Sequence, residues 1–366
     1  ASEGAALNAL EDSLVGDDSQ AAVQFNVADS ASAVASELAG DNTALDNAES
    51  LVVDGGTVSV DSASDIQGVD GYEAFSSDYT IEDSSVAILS EQGFGTVVDS
   101  GVEQVFVTDT VNVADGVSLS DMEVALEAER GMEFADIDFD VAGLASDIVA
   151  NASDLSGASV VTVTDIADAS EGASLNALED SLVGDDSQAA VQFNVEDSAS
   201  AVAFELAGDN TALDNAEGLV VDGGDTDMVG AANIQGVTSY DSGASSYTIS
   251  DSASAVLGDT DTAIDAGVSA INVEDVVDAG VGVQLGALEE NLKLESGSGS
   301  DVVFDVADSS ANIVTNADGL DNARDITVYD TVNGYVSNAS MSQASTIECI
   351  NNTGETTYNI FDTAEN

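Results

Sequence analysis

A short motif recurs along the 366-residue chain and limits its possible folds more than any other feature. In each copy, a β-branched aliphatic residue stands two positions before an aspartate, as in FNVAD at 25–29 and YTISD at 247–251. Apolar residues at every second position, with β-branched side chains, are typical of a strand that buries one face. The pattern predicts thirteen short strands, centred on Val27, Val52, Ile81, Val107, Val141, Val163, Val195, Val220, Ile249, Val273, Val306, Val328 and Ile360.

The spacing of the motif defines a repeat unit. Successive copies lie 22 to 34 residues apart, about 28 on average, and Gly143 replaces the aspartate in the fifth copy. Alternate copies carry an aromatic residue two positions before the aliphatic one, so the units also form pairs of about 56 residues. These aromatic residues are Phe25, Tyr79, Phe139, Phe193, Tyr247, Phe304 and Tyr358.

A larger duplication contains these units. Residues 2–56 recur as residues 170–224 with only four differences. We therefore predict two blocks, a first of six units at 1–169 and a second at 170–366 that includes the start of a further unit. We expect the two blocks to form one continuous structure.

The segments between the strands have a helical pattern. DSASAVASELA (29–39) and DSSANIVTNADGL (308–320) begin with residues that cap helices and then carry small apolar residues at helical spacing. A strand, a helix and a second strand within about 28 residues imply parallel strands joined by crossovers. We predict an α/β solenoid of about thirteen coils, with one short parallel strand and one short helix in each. In an alternative arrangement, one turn holds a pair of units, and the aromatic and aliphatic strands form separate sheets.

The charge and composition exclude several classes of function. The chain has 71 Asp and Glu against 3 Lys and Arg, a formal net charge of −68, so we expect no nucleic-acid partner. It has no His and a single Cys, which removes the usual catalytic and zinc-binding groups, and we expect no enzyme. No apolar run is long enough for a membrane span. We expect Cys349 to be a buried small residue, or alternatively to form an intermolecular disulfide.

Carboxylates are the one abundant reactive group, and two roles are open for them. Ca²⁺ takes six to eight oxygen ligands and needs neither His nor Cys. Alternatively, the strand-end aspartates cap helix N-termini. The candidate Ca²⁺ ligands are Asp29, Asp54, Asp83, Asp109, Asp136, Asp138, Asp140, Asp165, Asp197, Asp222, Asp225, Asp227, Asp251, Asp275, Asp308 and Asp330.

The acidic units, with DSxSAV or DSSANIV after an FxVxD strand, resemble repeats of large secreted bacterial surface proteins: adhesins, surface-layer proteins and matrix fibres. The resemblance implies an extracellular structural role, often supported by calcium. Neither end of the sequence shows a polar capping unit, so we expect either part of a longer array or head-to-tail self-association. The alternatives are a calcium- or glycan-binding adhesion module and an acidic surface adapted to high salt.

Overall fold

The computed structural model describes residues 1–15, 23–40, 44–130, 136–155, 157–183, 190–296, 299–329 and 338–360. Within these residues it is a mixed α/β structure of 15 α-helices and 16 strands. The chain divides into two compact units, Ala1–Asp165 with Ala177–Gln192, and Ile166–Asn176 with Phe193–Asn366. The predicted α/β class is confirmed.

Helices and strands alternate along the first half of the chain. The elements are α1 (Ser2–Val15), β1 (Asn26–Asp29), α2 (Ala31–Leu38), β2 (Ser50–Val58), α3 (Val60–Gln67), β3 (Asp78–Asp83), α4 (Ser85–Ile88), α5 (Glu91–Val97), β4 (Val102–Val107), α6 (Val113–Arg130), β5 (Asp136–Gly143), α7 (Ala145–Ala150), β6 (Ala158–Val163), α8 (Ala169–Val183) and β7 (Ala190–Gln192).

The second half repeats this alternation. Its elements are β8 (Asn194–Asp197), α9 (Ala199–Gly208), β9 (Gly218–Thr226), α10 (Met228–Gly236), β10 (Ser246–Asp251), α11 (Ala253–Gly258), α12 (Thr260–Ala263), β11 (Val268–Val277), α13 (Ala279–Glu295), β12 (Asp301–Asp308), α14 (Ser310–Asn316), β13 (Ala323–Val328), β14 (Asn338–Ala339), α15 (Met341–Ile347), β15 (Thr356–Thr357) and β16 (Asn359–Ile360).

Each compact unit is built on one seven-stranded parallel sheet. The first sheet runs in chain order from β1 to β7, and the second runs from β8 to β13 and ends with β15. Aromatic and aliphatic strands therefore lie side by side in one sheet, and the alternative with separate sheets is wrong. The strands β7, β14 and β15 lie outside the thirteen predicted ones, so a solenoid of thirteen coils stays a prediction.

The aromatic positions of alternate units provide the largest fully buried side chains of the core. Phe25 is 8% exposed, and Tyr79, Phe139, Phe193, Tyr247 and Phe304 are each at most 1% exposed. Tyr358, the last aromatic position, is only half-buried. Burial of an aromatic side chain contributes more hydrophobic free energy than any other single residue in such a strand, so these positions dominate the stability of each unit.

The aliphatic positions follow the prediction in only part of the chain. Val52, Val107, Val163 and Val220 are half-buried, and Ile360 is 54% exposed. In β2, the neighbours Leu51 and Val53 are buried instead, which reverses the predicted inward and outward faces of this strand.

A glycine bulge explains why β2 departs from the simple alternation. The register of β2 on β3 slips between Asp54 and Thr57, where Gly55 and Gly56 have φ values of +70° and +93°. These values suit glycine and are strained for other residues. The insertion lets Val58 pair with Ile81, so the buried face resumes after the bulge.

Two further expectations are resolved within the described residues. Cys349 is exposed, although the nearby Ile347 and Ile350 are buried, so the expectation of a buried cysteine is wrong. No helix in the described ranges combines the length and apolarity needed to cross a membrane.

The aromatic core gives the first testable prediction. Phe139→Ala should lower the free energy of unfolding by about 3–5 kcal/mol, because it removes a fully buried ring and leaves a cavity. Phe75→Ala, at a residue that is 84% exposed, should change it by less than about 0.5 kcal/mol. Urea unfolding followed by circular dichroism measures both, and equal effects would contradict the assigned core.

Candidate functional site

Strand-end aspartates bond to the helix of the preceding repeat unit. In seven cases the carboxylate accepts a hydrogen bond, at 2.6 to 3.2 Å, from the backbone N–H of the first residue of a helix that begins 20 to 29 residues earlier. The pairs are Asp83 with Val60, Asp109 with Ser85, Asp165 with Ala145, Asp197 with Ala169, Asp251 with Met228, Asp275 with Ala253, and Asp308 with Ala279. Asp29 accepts at 2.7 Å from the N-terminal ammonium of Ala1, which corresponds to Ala169.

The parallel sheet creates this contact. Neighbouring parallel strands end at the same edge, so the end of one strand lies beside the helix that follows the strand before it. The first N–H groups of a helix have no acceptor within the helix, and the helix dipole makes this end positive. A carboxylate at the strand end therefore supplies an acceptor for these N–H groups and a negative charge at the positive end of the helix.

In alternate units, one aspartate joins two successive helices. Asp83 accepts from Val60 with Oδ2 and from the amide of Ser84 with Oδ1. The Ser84 hydroxyl in turn accepts from the amide of Ala87 and caps its own helix. The amide of the following serine is bound in the same way by Asp29, Asp197, Asp251 and Asp308. This geometry explains the recurring Asp-Ser dipeptide.

Asp109 makes the most complete contact of this kind. Its Oδ1 accepts from the Ser85 amide at 2.6 Å and its Oδ2 from the Ser85 hydroxyl at 2.7 Å. These two bonds hold the pKa of Asp109 below its usual value, and the bond from the amide has the larger effect. The Ala1 ammonium does the same for the pKa of Asp29.

Three of the predicted strand-end positions, Asp54, Asp222 and Gly143, make no such bond among the described residues. Asp54, Asp222 and also Asp275 are exposed within β2, β9 and β11, which continue past them, so the prediction that they end strands is wrong. Gly56 lies over the start of α2, where an added Cβ would be 3.2 Å from the Ala31 nitrogen. At Gly143 an added Cβ would be 2.5 Å from the side chain of Val113, the first residue of α6.

The remaining predicted ligands serve other roles or lie outside the described residues. Asp136, Asp138 and Asp140 point outward from β5, where loss of hydration and the charge of Asp138 raise the pKa of Asp136. Asp227 caps its own helix by accepting from the Gly230 amide at 2.7 Å. Asp225 is exposed in β9.

The structure leaves the calcium prediction open. Asp330 lies outside the described residues. Among the residues that the structure describes, no group of three or more His, Cys, Asp or Glu is arranged to hold a metal ion. Binding of Ca²⁺ to the aspartates therefore stays a prediction.

Sequence reasoning missed a buried polar network. The Gln67 side-chain amide donates to the Tyr79 hydroxyl at 2.7 Å and to the Thr96 carbonyl at 2.8 Å. The Tyr72 hydroxyl donates to Asp99 Oδ1 at 2.7 Å. The second block repeats the network with Gln235, Tyr247, Tyr240, Thr262 and Asp265. The recurrence of the glutamine and both tyrosines 168 residues later, within otherwise diverged sequence, was the available signal.

Burial makes the tyrosines of this network resistant to ionisation. Burial raises the pKa of Tyr72 far above its usual value, and the neighbouring Tyr79 and Asp99 add to the rise. Burial also raises the pKa of Tyr79 to about 12. An added Cβ at Gly101 would lie 2.1 Å from the Tyr72 hydroxyl, so glycine is needed beside it. The network supplies hydrogen bonds to buried polar groups and offers no group poised for chemistry at neutral pH.

Comparison of the chain with protein-family models finds no match, and comparison with curated proteins finds no significant match. The strand-end aspartates and the tyrosine network are thus the features from which a function can be inferred.

The strand-end contact gives the second testable prediction. Asp109→Ala should lower the free energy of unfolding at pH 7 by about 1–2 kcal/mol, as for other helix caps. Because its folded pKa is lowered, the contribution of Asp109 is complete above its unfolded pKa of about 4 and disappears as the pH falls through the lower folded value. The difference between variant and wild type should therefore shrink below pH 4.

Asp54→Ala is the matched control, since Asp54 is exposed and accepts no hydrogen bond from the described residues. Urea unfolding between pH 3 and 7 makes the comparison. Equal losses at pH 7 for the two variants would contradict the capping role.

Proposed function

We propose that the chain is a non-enzymatic structural repeat protein, a subunit or segment of an extracellular filament, surface layer or adhesin stalk. In this proposal its units stack as a solenoid of about thirteen coils. The single observation that carries the proposal is the strand-end contact, because seven helix starts are completed by an aspartate of the next unit. A unit of this kind is stable only beside a neighbour, which is the defining property of stacked repeats.

The edge of the first sheet suggests how copies could join. In β8, the Asn194 carbonyl accepts from the Ala167 amide at 3.0 Å, and the Glu196 amide donates to the Ala167 carbonyl at 3.1 Å. The equivalent groups of β1 are the Asn26 carbonyl and the Ala28 amide. A segment of another chain can pair with a parallel strand through the same backbone groups. We infer head-to-tail association of copies through β1.

A substitution at this edge tests the assembly. Wild-type protein should form concentration-dependent oligomers or filaments, visible by sedimentation and electron microscopy. Ala28→Pro removes the edge N–H donor and should abolish them while the monomer keeps its circular dichroism spectrum. Ala28→Glu, which introduces the residue found at position 196, keeps the donor and should still assemble. Monodisperse monomers of the wild type at every concentration and salt level would contradict the proposal.

The high net negative charge leads us to include binding of divalent cations in the proposal. A formal charge of −68 on one chain opposes both folding and assembly, so we propose that divalent cations neutralise part of it. This proposal rests on the charge and on the outward aspartates of β5.

Thermal unfolding in millimolar CaCl₂, compared with NaCl of equal ionic strength and with added chelator, tests the role of calcium. We expect a higher melting temperature in CaCl₂ than in the matched NaCl, reversed by the chelator. Equal stabilisation by the two salts would show that screening alone acts, and would overturn the calcium proposal.

A further inference from the structure

The two long helices α6 and α13 are counterparts in which the sign of the charge is reversed at one position. Aligned on Leu119 and Leu285, Glu123 corresponds to Glu289, and Glu127 corresponds to Lys293. Asp136 and Asp301 begin the strands that follow these helices. The second block therefore has a lysine where the first block has a third carboxylate.

In the second block the lysine balances a buried acid. The Glu289 side chain is only 3% exposed, and its Oε1 pairs with the Lys293 ammonium. The same ammonium lies 3.8 Å from Asp301, and Glu289 Oε2 accepts from the Val302 amide at 3.3 Å. A buried carboxylate is tolerated when a charge partner and a backbone donor satisfy it in this way.

In the first block the same carboxylate is held in place without a cation. The Ile137 amide, the counterpart of Val302, acts on Glu123 and opposes part of the rise in its pKa. An added Cβ at Gly157 would be 2.2 Å from Glu123 Oε2, so the carboxylate lies against the chain at this glycine. Burial, followed by the charges of Asp136 and Glu127, raises the pKa of Glu123 to about 7.

The charged groups around α6 offer no replacement for the lysine. The other charged side chains of α6 and of the elements around it are Glu91, Glu103, Asp115, Asp121, Glu129, Arg130, Asp138, Asp140, Asp147 and Asp154. The single cation of this set, Arg130, acts on Glu103, where it opposes the rise in pKa caused by Asp78. Among the described residues, no basic group forms an ion pair with Glu123.

We propose that Glu123 takes up a proton in place of the ammonium that Lys293 supplies in the second block, which makes the packing of α6 on β5 a pH-dependent contact. The folded state binds this proton more tightly than the unfolded state. The resulting stability is therefore complete below the unfolded value near pH 4.5 and is lost as the pH rises through about 7. The equivalent contact of α13 with β12 keeps its lysine, and we expect no such loss of stability there as the pH rises.

Charge substitutions on the two helices test the proposal directly. Amide exchange of α6, corrected for the intrinsic effect of pH, should become about tenfold faster between pH 6 and 8.5 in the wild type. Glu127→Lys should remove this step, because it recreates the arrangement of Lys293. Lys293→Glu should create a similar step in α13. Glu129→Lys makes the same change in net charge at an exposed position of α6 and should leave the wild-type step in place.

Two outcomes would overturn the proposal. One is a pH-dependent increase in the exchange rate of the α6 amides that persists unchanged in Glu127→Lys, or the absence of this increase from the wild type. The other comes from the intact wild-type protein and does not depend on any variant folding well. In a carboxyl ¹³C titration, with Glu123→Gln used for assignment, we expect a Glu123 midpoint near pH 7, and a midpoint near pH 4.5 would overturn the proposal.

Discussion

The structure depends on one interaction, the hydrogen bond from the first N–H of a helix to the aspartate near the end of the next strand. It occurs in the same form at Asp83, Asp165 and Asp275, with donors 20 to 23 residues earlier in the chain. In this bond, a residue of one unit stabilises the helix of the preceding unit. The helix start is therefore complete only when the two units are stacked. The hydrophobic core supplies most of the free energy, and this contact links each of these helix starts to the neighbouring unit.

The acidity of the chain follows partly from this interaction. A helix start needs an acceptor, and a carboxylate is the strongest side-chain acceptor available there. The aspartates of seven units are therefore structural, and their charge is offset by the amides that they bind. Many of the remaining acids are exposed, whereas Glu289 is buried beside Lys293 and Glu123 is partly buried without a cation.

The sequence predicted the elements better than the contacts between them. Period-two alternation correctly placed the parallel strands, and helix capping was one of the two roles considered for the aspartates. The sequence did not reveal which helix each aspartate caps, because the adjacent serine makes its own helix the obvious candidate. The bulge at Gly55 and Gly56 was missed because a simple alternation ending at Asp54 fits the same letters. The tyrosine network was missed because its members come from separate units and meet only in the folded chain.

The exchange rate of one amide tests the central claim most directly. Ala253 is the first residue of α11, and its N–H bonds to Asp275 at 2.7 Å, since no acceptor exists for it within the helix. In Asp275→Ala, we expect the Ala253 amide to lose its protection from hydrogen exchange, while amides in the middle of β11 keep theirs. Unchanged protection at Ala253, or a loss confined to the strand that carries residue 275, would contradict the claim.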